Sequence, residues 1–304
     1  MQIMSLITAL PGAAAQGLIW GIMAIGVYIT FRILDIADLT VDGTLCTGGA
    51  VCIMMMLSGH NVWVSMLVAT GAGLLAGLAT GIFHTFMGIP AILAGILTQL
   101  SLYSVNLKIM GKANQAINVD KFNLLVSLRR VKGVSLTQNT LFIVAIMIVI
   151  LIAILYWFFG TELGCSLRAT GCNPSMSRAQ GINTDRNKVL ALMLSNGLVA
   201  LSGALLTQYQ GFADINMGRG SIVIGLAAVI IGEAIFSRIF RNFALRLTAV
   251  ILGSILYYLV LQIVIWMGID TDLLKMLSAL VVAFFLAFPY WKGKYFTKAK
   301  QGGK

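Results

Sequence analysis

"TLFIVAIMIVILIAILYWFFG", Thr140–Gly160, contains no charged residue. A hydrocarbon layer of ~30 Å is crossed by ~20 helical residues, so this stretch is long enough to span a membrane. Comparable runs recur at 13–31, 43–58, 61–83, 90–110, 188–209, 221–237, 247–268 and 272–290. Apolar residues make up 59% of the chain and charged ones 10%, with mean hydropathy +0.94. A soluble domain is excluded. The sequence predicts an all-α, polytopic transmembrane bundle with about 8–9 spans. No Pro/Ser-rich linker interrupts it, so residues 1–304 read as one domain. "MQIMSLITALPG" at the start lacks a basic n-region and a small-residue cleavage site, so no signal peptide is expected.

The run at 43–58 is short, and Arg32, Asp35, Asp38 and Asp42 precede it. Charge beside a short apolar run predicts a broken or partly re-entrant segment. The acids are spaced to share one helix face. Alternatively, Asp42 caps the helix beginning at Gly43-Thr44, with Arg32 pairing Asp35, and we favour that arrangement. Gly73, Gly77 and Gly81 recur every four residues, as do Gly17 and Gly21. Small residues at that spacing let helices approach closely, which predicts packing inside the bundle.

Basic residues near helix ends set orientation. With 161–187 on the cytoplasmic side, Arg168, Arg178, Arg186, Lys188, Arg238, Arg241 and Arg246 lie inside. Lys292, Lys294, Lys298, Lys300 and Lys304 join them, and Asp270 and Asp272 fall outside. The segment 111–139 is then external despite Lys112, Lys121, Arg129, Arg130 and Lys132, and its charge suits a visiting protein. Nine crossings put the N-terminus outside; a re-entrant second segment reverses that. The net charge of +11 fits lysines attracting anionic lipid, and no nucleic acid is expected. Cys46, Cys52, Cys165 and Cys172 lack zinc spacing and read as structural thiols.

Catalysis finds no motif. His60 and His84 belong to no metal-binding pair, no serine elbow occurs, and "GKAN" at Gly111 is not a phosphate loop. The chain therefore reads as a mover or a scaffold and not as an enzyme. An ion-coupled carrier keeps ionisable residues in its spans, and Glu233 in "IIGEAIF" is the candidate. Its place near the presumed inner end favours a capping or latch role, with a partner from another segment.

"ATGCNPSMSRAQGIN", Ala169–Asn183, lies between two spans. Asn173 suits an N-cap, Pro174 the first helical position, and Gly181 the residue past the end. A helix of about seven residues follows, and Met176 with Ala179 could face a partner's groove. A helix that short is marginal alone.

Here the sequence resembles a family. "GCSLRATGCNPSMSRAQGINTDRNKVLALMLSNGLVALSGALL", from Gly164, is similar to the cytoplasmic-loop signature of ATP-binding-cassette (ABC) importer permeases of the branched-chain amino acid and ribose class. "DIADLTVDGTLCTGGAV" from Asp35 and "GLAAVIIGEAIF" from Gly225 resemble two further signatures, although Glu233 stands where that class tends to carry glycine. The wording is most like the smaller permeases paired with tryptophan- or tyrosine-type binding proteins. The resemblance implies a permease subunit in a bacterial cytoplasmic membrane, paired with a second copy. It would be fed by an extracytoplasmic binding protein and driven by an ABC ATPase that holds ATP and Mg. Arg168, Gly171, Asn173, Pro174, Met176, Arg178, Ala179, Gly181 and Ile182 would couple to that ATPase. Thr98, Gln99, Tyr103, Asn106, Gln208 and Tyr209 are the polar candidates for a solute pathway. Such side chains also bond neighbouring helices. Asp38, Asp42 and Glu233 are structural or gate candidates. The competing classes are an ion-coupled secondary transporter and a membrane scaffold.

Overall fold

The computed structural model describes residues 2–119, 122, 124–131, 139–236, 239, 240, 242–267, 273, 276, 279–284 and 287. Most of the predicted 272–290 span lies outside the described residues. So do Lys121, Lys132, Arg238, Arg241, Asp270, Asp272 and the tail lysines Lys292, Lys294, Lys298, Lys300 and Lys304.

Helix α1 (Gln2–Tyr28) continues into a π-helical turn, Ile29–Ile33, and is followed by α2 (Val41–Leu57), α3 (Val62–Thr85) and α4 (Ala91–Met110). Strand β1 (Asn114–Ala116) precedes α5 (Thr140–Gly160), α6 (Glu162–Cys172), α7 (Pro174–Ala179) and α8 (Thr184–Gln210). Strand β2 (Phe212–Asp214), α9 (Ser221–Phe236) and α10 (Phe243–Trp266) complete the order. Among the described residues, six helices are long and apolar enough to cross a membrane. The expected 8–9 spans are not matched by full-length helices. α2 has 17 residues and α9 has 16.

α8 is the hub. In lipid no hydrophobic drive presses helices together, so close backbone approach and hydrogen bonds must do it. Gly73, Gly77 and Gly81 of α3 face α8, where a Cβ would strike the Asn196 carbonyl, the Leu192 carbonyl and Val189. Gly17 and Gly21 of α1 face Ile255 and Ser254 of α10 in the same way. The repeated glycines serve internal packing. Ser195 Oγ donates to the Gly26 carbonyl and Ser202 Oγ to the Ile19 carbonyl, each at 2.8 Å, so α1 runs antiparallel to α8.

The short helices are placed differently. α2 runs parallel to α8, with Thr44 beside Asn196, Gly48 against Ala200 and Cys52 beside Gln208. Its first turn therefore stands level with the middle of α8. α9 begins equally deep: Gly225 packs on Met23 and Val27 of α1, and Gly232 on Ala249 of α10. α2 and α9 leave the interior towards opposite ends. One end carries α6 and α7. The other carries an antiparallel ribbon, absent from the all-α expectation, that pairs Asn114 with Asp214 and Ala116 with Phe212.

One helix provides its own control. Gly77→Ala pushes a methyl into α8 backbone and should cost about 1–3 kcal/mol. Gly71, also in α3, has nothing within 4 Å, so Gly71→Ala should be neutral or stabilising by up to about 1 kcal/mol. Thermal unfolding of the two variants in detergent micelles separates these outcomes; equal midpoints would refute the close-approach account.

Candidate functional site

The break between α1 and α2 gathers the acids. Asp35 has φ 57, a left-handed conformation that ends any helix there, so Asp35, Asp38 and Asp42 do not share a helix face. Asp38 is buried, accepting from Thr40 N–H at 3.0 Å and from Asn196 Nδ2 at 2.7 Å. Thr40 Oγ1 meets Thr80 Oγ1 at 2.7 Å, and Thr80 donates to Thr98 at 2.9 Å. This chain of hydroxyls joins the start of α2 to α3, α4 and α8.

Asp42 corrects the capping expectation. It lies inside the first turn of α2, and its carboxylate caps α9 across the bundle. It accepts from Gly220 N–H at 2.8 Å, Ser221 Oγ at 2.9 Å and Ile222 N–H at 3.0 Å. One carboxylate thus accepts from two of the N–H groups at the start of a helix that begins midway along the bundle. Nothing local in the sequence links Asp42 to Ser221, because the pairing is set by tertiary packing.

Arg32 pairs not with Asp35 but with Glu233, Nε to Oε1 at 2.9 Å. The basic partner from another segment expected for Glu233 is therefore Arg32, at the end of the π turn. A hollow of about 310 Å³ beside this pair is also lined by Arg246 and Phe240. The pair is partly exposed, with Arg32 at 59% and Glu233 at 30%, so its strength is modest.

α7 forms over six residues, Pro174–Ala179, one fewer than expected. Asn173 Oδ1 accepts from Met176 N–H at 3.0 Å, and Pro174 opens the helix. At the far end Gly181, with φ 79, donates to the Arg178 carbonyl and Ile182 N–H to the Ser177 carbonyl. That pair of bonds closes the helix with glycine in the left-handed position. Arg178 Nε donates to Thr184 Oγ1 at 2.8 Å, clamping α7 to α8. Ala179 is exposed and Met176 is 62% exposed. Arg168 is exposed but donates back to the Phe159 carbonyl at 2.8 Å, and the half-buried Gly171 presses on the Ile33 carbonyl. Between the end of α3, α6 and the start of α8 opens a cleft of about 840 Å³ lined by Thr85, Glu162, Ser166, Asn183, Arg186 and Leu190.

The pathway candidates divide. Thr98, Asn106, Gln208 and Tyr209 are buried. Asn106 Nδ2 donates to the Gly43 carbonyl at 3.3 Å, and Gln208 Oε1 accepts from Leu125 N–H at 3.3 Å. Tyr209 donates to the Gly12 carbonyl at 3.0 Å. These side chains join segments, and Tyr209 also borders a hollow of about 470 Å³ beside Gly12 and Arg129. Gln99 is half-buried and Tyr103 is 42% exposed, so they alone of the group reach a surface. Arg219, not among the candidates named from the sequence, stands over the Tyr103 ring at 5.9 Å from its centroid. Its one local signal was a lone arginine flanked by Gly218 and Gly220 just before an apolar run. Among the described residues, no His, Cys, Asp or Glu gather in a group that could hold a metal.

Residues 10–286 match the family described as "Branched-chain amino acid transport system / permease component". The chain belongs to this permease family. It is 39% identical over 272 residues to a tyrosine transport system permease protein of Clostridioides difficile, covering 90% of this chain and 88% of that one. It is 26% identical over 246 residues to a fructose import permease protein of Bifidobacterium longum, covering 81% and 67%. It is 30% identical over 229 residues to an autoinducer 2 import system permease protein of Yersinia pestis, covering 72% and 60%. No solved structure matches it. The permease is a multi-pass protein of the bacterial inner membrane.

Asp42 accepts from Gly220 N–H, Ser221 Oγ and Ile222 N–H, so Asp42→Ala should remove this cap from α9 and destabilise the permease by about 0.5–2 kcal/mol. Asp42→Asn keeps one acceptor oxygen and should lose less. Urea-resistant trypsin protection in membranes would rank the variants; protection at the wild-type level in Asp42→Ala would remove the cross-bundle cap.

Proposed function

We propose that the permease carries an amino acid, aromatic in kind, across the inner membrane as part of an ABC importer. The observation that carries this is the 39% identity to a tyrosine transport permease across nearly the whole of both chains. In this reading the α7 end faces the cytoplasm and α7 docks into an ABC ATPase, which holds ATP and Mg. An extracytoplasmic binding protein delivers the solute to the ribbon end, where Arg129 is exposed; Arg130 donates to the Leu124 carbonyl and belongs to the loop's own frame. A second copy completes the path. The short α2 and α9 are broken crossings, which raises the described crossings to about eight, and 272–290 would add the ninth.

An ion-coupled carrier needs an acid free to exchange its ion. Glu233 is instead paired with Arg32, and Asp38 accepts from Thr40 and Asn196. The permease accordingly draws its driving force from its partner.

The coupling role of α7 is tested by Met176→Asp and Gly181→Val. A charge in an apolar docking groove is left unpaired at a cost of about 3–5 kcal/mol. Valine at φ 79 costs about 1–2 kcal/mol and unwinds the end of α7. Both variants should insert normally, while ATPase co-purification falls at least about tenfold. If the ATPase stays bound and its hydrolysis stays stimulated in both, α7 is not the coupling element.

A further inference from the structure

Arg219 is a charge in an unusual place. Gly218 before it presses on the Asp42 carbonyl, and Ser221 after it donates to the Asp42 carboxylate. Asp42 belongs to the first turn of α2, which begins level with the middle of α8. Gly225, one turn further on, packs on Met23 and Val27 in the body of α1. The guanidinium is therefore rooted midway between the two ends of the bundle. Arg219 is nevertheless exposed, and among the described residues no carboxylate forms an ion pair with it. Asp42, close in the fold, already accepts from Gly220, Ser221 and Ile222. A guanidinium at that depth cannot face lipid tails without a partner, so it faces water or a charge brought from outside the chain.

The surroundings say which. Tyr103, under the guanidinium, and Gln99, one turn away on α4, give this surface polar tips, and Asn216 adds another exposed amide. An arginine fork held over an aromatic ring presents parallel N–H groups that match a carboxylate. A neutral sugar has no group needing that fork, whereas every amino acid carries one.

We propose that Arg219 and Tyr103 line the water-filled path of the permease at mid-depth and that Arg219 binds the carboxylate of the passing solute. This deepens the amino acid importer reading given above and rests on it. Arg219 would hold the solute only briefly, since the path must release what it admits.

The test uses the importer reconstituted with its ATPase and binding protein in proteoliposomes, with tyrosine as the solute. Arg219→Gln should lower tyrosine uptake about tenfold, as loss of a charge-assisted bond does, while ATP hydrolysis stimulated by the loaded binding protein continues. Arg219→Lys should recover a substantial part of the uptake. Separately, Arg219→Cys in a chain whose four cysteines are replaced by alanine should react with the anionic reagent sulfonatoethyl methanethiosulfonate, and tyrosine import should slow that reaction. Wild-type uptake in Arg219→Gln would overturn the carboxylate contact even if the cysteine is labelled. An unlabelled cysteine would overturn the water-filled path and point to a side chain of the second copy. A wild type that moves no tyrosine or other amino acid while Arg219→Cys still labels would overturn the amino acid reading and leave the path standing.

Discussion

The fold depends on how backbone groups are satisfied where helices begin inside the bundle. A full-length span bonds its own backbone and leaves its unpaired ends in water. α2 and α9 cannot, because each starts among other helices. The side chain of Asp42 resolves this for α9 by supplying the acceptors its first turn lacks, and Asp38 with the Thr40–Thr80–Thr98 hydroxyls fastens the start of α2. Asp38 and Asp42 are thus structural joints between segments far apart in sequence. Their burial is tolerable because hydrogen bonds surround them.

Close packing around those joints decides where anything can pass. Glycines of α1 and α3 bring backbone against backbone, and serines of α8 bond α1 carbonyls across the contact. Polar side chains at Asn106, Gln208 and Tyr209 are bonded to neighbours within the same subunit. Among the described residues, the face that carries Tyr103 and Arg219 offers polar surface at mid-depth, and a path built there requires a second wall.

Much of this was legible in sequence. Apolar length located the helices, since 20 or so residues without charge have few other fates. α7 was readable residue by residue, because Asn173, Pro174 and Gly181 each act through local backbone geometry. The same locality explains the misses. Asp42 was assigned to its own helix because a cap is a local rule, whereas its acceptors serve a helix some 180 residues away in the chain. Arg32 was given Asp35 for nearness in sequence, and Glu233 across the bundle was the partner. Arg219 was invisible for a further reason: only the depth of α9's start brings a loop arginine to the middle level of the bundle.

The same joints constrain how motion can travel. Gly171 of α6 presses on the Ile33 carbonyl at the end of the π turn, and Arg32 in that turn holds Glu233 of α9. A π turn is a local change of winding inside an α-helix, of a kind frequent at functional sites. If α7 is pushed, α6 moves with it, and the load reaches the π turn of α1 and the end of α9 first. The other end of α9 is tied by Asp42 to α2, directly beside Arg219. A rigid α9 would then convey displacement from the α7 end to mid-depth without passing through the glycine-packed α3–α8 contact, which is too close to slide. Such a route is a physical continuity and becomes coupling only if both ends share two discrete arrangements. The partly exposed Arg32–Glu233 pair suits that need, because a modest contact can break and re-form where a buried one could not.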